Sequence, residues 1–153
     1  MKKLKRGEKI FFLSVVVWVV LFYPIGLIHE LGHIVICISQ DGVFPLDLVF
    51  SQLRVNCDPL PSPLQLYWSF GGFFGMIASL IPLIFRKVRT HPILVGGLTG
   101  SAISQFLYFL AEGWAHYQYM GNNPYLFLSI TLATLLAIFY FSRKVDKSIK
   151  NST

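Results

Sequence analysis

Apolar residues run along this chain in four long blocks, at 10–39, 64–85, 92–111 and 124–141, with polar and charged residues gathered between them. Each block is close to or above the ~20 residues that cross a bilayer as a helix. The first is longer than a span needs, so it tilts, kinks at Pro24 or reaches beyond the hydrocarbon. Between the first two blocks, residues 40–63 form the longest connection. There Asp41-Gly42 signals a turn, and the residues at 46–50 and 53–56 roughly alternate, which predicts a small β-hairpin. Pro59, Pro61 and Pro63 then make a stiff connector. The expected fold is an all-α membrane protein, a single domain over 1–153 built as a bundle of about four transmembrane helices.

Polar residues inside the apolar blocks are few and regularly placed. The first block holds His29-Glu30-Leu31-Gly32-His33. Ionisable side chains in a span are costly, and three in five residues call for a function. The second block carries Gly71, Gly75 and Ser79 at four-residue spacing, and the third carries Gly96, Gly100 and Ser104. Small residues at that spacing let helices approach closely in lipid. A second stripe on the third block runs Ser101, Gln105, Tyr108, Glu112 and His116, which fall on one face if the helix continues through Gly113. Trp114, Tyr117 and Tyr119 follow as an aromatic belt at the interface. The fourth block carries no chemistry.

Composition agrees with the pattern. Hydrophobic residues make up 54% of the chain and charged residues 13%, with a mean hydropathy of +0.61, which excludes an ordinary soluble domain. The net charge of +6 would suit nucleic acid, but its distribution does not. Lys2, Lys3, Lys5, Arg6 and Lys9 precede the first span, Arg86, Lys87 and Arg89 lie between the second and third, and Arg143, Lys144, Lys147 and Lys150 follow the fourth. With four spans all of these share one side, and Arg54 alone lies opposite. The positive-inside rule then gives a multi-pass protein of the cell membrane with both termini cytoplasmic. Anionic lipid headgroups are the partner expected for the basic ends, and no nucleic acid is expected. The basic start and apolar run also look like a signal peptide, but no small-residue cleavage site follows, so the segment is read as an uncleaved span. Cys37 and Cys57 both fall on the outer side, where a bridge and free thiols are each compatible with the sequence.

The chemistry starts from His29 and His33. At i and i+4 they share a helix face one turn apart, so both imidazoles reach one metal ion, and Glu30 is placed to take a proton from water there. A catalytic zinc takes three protein ligands and keeps a position open. The third must sit at the same depth. His29 lies about 28 Å of helix rise from Ile10, and Glu112 about 30 Å from Pro92. Glu112 is therefore the expected third ligand and His116 the runner-up, while His91 lies at the wrong end of its helix. Asp41, Asp47 and Asp58 qualify only if the outer loop folds back. Zinc with two neutral histidines and the carboxylates of Glu30 and Glu112 sums to zero charge, which a low-dielectric site favours. Such a site implies metal-assisted hydrolysis with Glu30 as general base, and His116, Asn122 or Asn123 as donors to the oxyanion.

A transmembrane His29-Glu30-Leu31-Gly32-His33 resembles the site-2 protease family of intramembrane zinc metalloproteases. That family has a later glycine-rich span and a further span whose Asp-Gly pair supplies the third zinc ligand. Gly71-Gly72 and Glu112-Gly113 stand in the matching order, with Phe73 where the family has proline and Glu112 in place of aspartate. The resemblance implies a zinc endopeptidase acting on membrane protein or peptide substrates, with a strand region after the zinc motif that pairs with extended substrate, at the position of the expected hairpin. A di-iron carboxylate bundle needs about four glutamates, and this chain has only Glu8, Glu30 and Glu112. The remaining alternative is a non-catalytic zinc-binding membrane adaptor or ion-pathway protein.

Overall fold

The computed structural model describes residues 5–46, 49–50, 53–115 and 124–151. Four long helices form in the order α1 (Arg6–Ser39), α2 (Leu64–Leu80), α4 (Pro92–Ala115) and α5 (Pro124–Asn151), with the short α3 (Arg86–Arg89) between α2 and α4. Each of the four apolar blocks yields a helix long and apolar enough to cross a membrane. α1 has 34 residues and runs unbroken through Pro24, and its rise of about 51 Å exceeds a hydrocarbon core of about 30 Å.

Local chemistry sets the ends. Pro82 lies in the first turn of a 3-10 segment, Ile81–Ile84, that closes α2, and Phe85 then turns extended. Thr90 Oγ1 donates to the carbonyls of Arg86 and Lys87 at 3.1 and 3.2 Å, ending α3. Pro92 opens α4 at the position where a missing N–H costs nothing.

α4 is the centre of the bundle. Half of its apolar window is buried, against 17% for α1. The small stripes explain how the helices close on it. A Cβ on Gly96 would run into Ser14 of α1 and Ser142 of α5, and one on Gly100 into Ile138 of α5. One on Gly72 of α2 would meet the α4 backbone at Phe109. At the basic end, Arg6 donates from Nε and Nη2 to Asp146 Oδ1 at 3.0 and 2.7 Å, which ties the start of α1 to the last turns of α5. α5 therefore runs ten residues past the predicted end at 141.

The expected hairpin at 46–56 is not supported by the described residues of that stretch, and residues 47, 48, 51 and 52 lie outside them. Among the described residues there are no strands, only an isolated antiparallel bridge between Val43 and Asp58. Leu46, Val49 and Phe50 are helical, and Leu53 takes a φ of +48°, a left-handed conformation that interrupts any extended run. The segment's polar backbone bonds to helix side chains instead of to itself. Phe50 O accepts from Tyr23 Oη at 3.1 Å, Val55 O from Tyr67 Oη at 3.0 Å, and Val55 N–H donates to Glu30 at 2.9 Å. Val49 and Val55 are buried. The outer connection is a cover folded onto the helices.

Candidate metal centre

The buried face of α1 near its outer end presents His29, Glu30, Gly32 and His33. Gly32 makes this possible, since a Cβ there would strike the Phe70 carbonyl, so α2 can lie directly against the histidine turn. Each imidazole is oriented through its Nδ1. His29 Nδ1 faces Gln105 Oε1 at 2.7 Å and His33 Nδ1 faces the Tyr67 carbonyl at 2.8 Å. Facing acceptors, both Nδ1 atoms donate, and in the neutral ring each Nε2 then carries a lone pair. These two Nε2 atoms lie 3.2 Å apart, and Glu112 Oε2 lies 3.3 Å from His29 Nε2. Two ligands held at about 2.0–2.1 Å from one tetrahedral centre are about 3.3–3.4 Å apart. Both observed separations are close to that edge.

His29 Nε2 thus faces both a second imidazole nitrogen and a carboxylate oxygen, an arrangement that repels unless a proton or a metal cation lies between them. Glu112 makes the case sharper. It is 3% exposed, and its Oε2 is the buried side-chain atom that finds no hydrogen-bond donor among the described residues. Native interiors rarely leave such an atom unserved. Space is reserved as well, because a Cβ on Gly71 would overlap Nε2 of both histidines, and one on Gly75 would overlap the Gln105 side chain. The α2 glycines thus do more than pack helices: one leaves room at the imidazole nitrogens and the other at the amide that orients His29.

His29, Glu30 and His33 form a group that could hold a metal ion, with one potential ligand atom from each lying within 4.8 Å of the others. Glu112 is not in that group, and its Oε2 lies 3.3 Å from His29 Nε2, so two carboxylates, Glu30 and Glu112, border the histidines. They differ in how they are held. Glu30 Oε2 already accepts the Val55 N–H, whereas Glu112 Oε2 accepts nothing.

A cleft of about 420 Å³ reaches this cluster. It is lined by His29, Glu30, Gln105, Tyr108, Glu112 and Arg54 together with Phe22, Gly26, Leu53 and Phe127. α4 does continue through Gly113, which places Ser101, Gln105, Tyr108 and Glu112 on one continuous helix. His116, Asn122, Asn123 and Asp47 lie outside the described residues. Asp41 and Asp58 are exposed in the outer connection, and His91 lies with Arg6 and Lys9 in a groove at the other end of the bundle. The sequence placed Gln105 on a polar face without giving it a role, and it gave no sign of Tyr67 or Val55. Cys37 and Cys57, which the sequence left open, are bonded to each other. No protein-family model, curated protein or solved structure matches this chain.

Proposed function

We propose that this chain is an intramembrane zinc metalloprotease, with His29, His33 and Glu112 holding the metal and Glu30 acting as general base. The observation that carries the reading is that His29 Nε2 lies 3.2 Å from His33 Nε2 and 3.3 Å from an undonated Glu112 oxygen, on two helices of membrane-spanning length. The resemblance of His29-Glu30-Leu31-Gly32-His33 to the site-2 protease motif supports it. Bound there, zinc polarises a carbonyl and makes water a nucleophile near neutral pH. Glu30 takes the proton of the attacking water and delivers it to the leaving nitrogen, held in place meanwhile by the Val55 N–H. Gln105 and the Tyr67 carbonyl keep the two imidazoles in the tautomer that presents Nε2. The cleft, lined by both polar and apolar side chains, suits an unwound segment of a membrane-embedded polypeptide.

The test is metal analysis of the detergent-purified protein together with cleavage of a synthetic transmembrane peptide. The expected result is one zinc per chain and cleavage, with His29→Ala and His33→Ala losing both. Stoichiometric zinc without cleavage of any peptide would favour the adaptor or ion-pathway reading.

The orientation that fits this function puts both termini and α3 in the cytoplasm and residues 41–63 outside. It rests on the basic residues gathered at one end of the bundle. Single cysteines at Ser62 and Lys87, introduced without disturbing the bridge, are expected to label from opposite sides with an impermeant maleimide. Labelling from the same side would refute the four-span topology.

A further inference from the structure

We infer that the Cys37–Cys57 bridge, acting through the Val55 N–H, is the device that positions Glu30, so that hydrolysis depends on an intact bridge while metal binding does not. This rests on the proposed function. Cys37 lies two turns beyond Glu30 on α1, and Cys57 lies two residues beyond Val55 in the outer connection. The bond between them fixes residues 54–57 against α1 at the level of the site. The segment is then held from both of its backbone faces. Val55 N–H donates to Glu30 Oε2 at 2.9 Å, and Val55 O accepts from Tyr67 Oη at 3.0 Å. Cys37 and Cys57 share one buried cluster with Ile36 and Tyr67, and Gly42 is kept small by both sulfurs, since a Cβ there would run into each of them.

The histidines are held differently. Their Nδ1 partners are the Gln105 side chain on α4 and the main-chain carbonyl of Tyr67 within α2, neither of which belongs to the loop that the bridge ties down. Opening the bridge therefore loosens one member of the site. Glu30 would keep its position on α1 but lose the donor that fixes its rotamer. A misplacement of about 1 Å at a reacting group can cost on the order of 10²-fold in rate.

The opening reaction balances with a phosphine reductant. Phosphine, disulfide and water give phosphine oxide and the two thiols, so the phosphorus is oxidised and the sulfurs reduced by two electrons. The experiment compares oxidised protein, protein reduced in place with a water-soluble phosphine, and the Cys37→Ser/Cys57→Ser variant. Thiol counting confirms the state of the bridge. Three quantities are read: zinc content, amide hydrogen exchange of the peptide containing Val55, and cleavage of a synthetic transmembrane peptide. We expect full zinc, faster exchange at Val55, and cleavage lower by on the order of 10²-fold without the bridge, restored on reoxidation. Unchanged exchange at Val55 after confirmed reduction, or unchanged cleavage, would overturn the inference, as would loss of zinc in parallel with cleavage. If the double variant does not fold, in-place reduction still decides. Absence of cleavage by the oxidised protein would count against the proteolytic reading alone, because exchange and zinc content report on positioning without it.

Discussion

Replacing Glu30 by glutamine is expected to leave one zinc per chain and to lower peptide cleavage by about 10²–10⁴-fold, the usual cost of losing a general base. The amide is nearly isosteric with the carboxylate, and its oxygen can still accept the Val55 N–H that Glu30 accepts at 2.9 Å. The outer cover therefore stays seated, and what disappears is the capacity to take up a proton. The measurement is kcat against zinc content on the same purified sample. Because a Glu30 oxygen lies within 4.8 Å of both histidine nitrogens, a different outcome is also informative. Loss of zinc in Glu30→Gln would make Glu30 a ligand, and wild-type cleavage would remove it from the mechanism.

Glu112→Ala is expected to act on the metal first. Second-shell changes alone weaken metal affinity by about 10–100-fold, so loss of a carboxylate that ligates directly should weaken it at least that much. Glu112→Asp should keep part of the zinc, and His116→Ala all of it. Stability supplies an independent sign. Without metal, Glu112 leaves a buried oxygen with no donor, a penalty of about 1–3 kcal/mol, more if charged. Alanine removes that penalty. A chelator should therefore lower the melting temperature of the wild type and leave Glu112→Ala unmoved, with the metal-free variant no less stable than the metal-free wild type. Full zinc in Glu112→Ala together with loss in His116→Ala would move the third position to the histidine.

The four helices were legible because uninterrupted apolar runs admit few alternatives at this length. The spacing of His29 and His33, and the depth match of Glu112, were legible for the same reason: helix rise is a ruler that needs no tertiary knowledge. The extension of α5 to Asn151 was not. Its charged residues look like a solvated tail until Asp146 is seen to accept from Arg6, 140 positions away in sequence. Residues 46–56 misled because alternation was read as strand pairing, whereas Leu53 breaks the extended run and Val55 bonds to two helix side chains. The glycine stripes announced close approach but not what occupies the space. That Gly71 faces two imidazole nitrogens, and Gly75 the amide of Gln105, is a fact of which helix lies opposite, and spacing along one helix does not contain it.

Phe22 of α1 and Phe127 of α5 both line the cleft and are 58% and 59% exposed. Such side chains in a spanning segment border acyl chains, so the opening faces sideways. A reactant that comes in by that route is met in two dimensions. Its working concentration is the number of molecules per lipid, and the half-saturation point belongs on a scale of mole fraction. If the proposed function holds, adding inert lipid or detergent at constant molarity of protein and peptide is expected to slow cleavage by dilution within the film, and apparent constants are expected to differ between vesicles of different size and number.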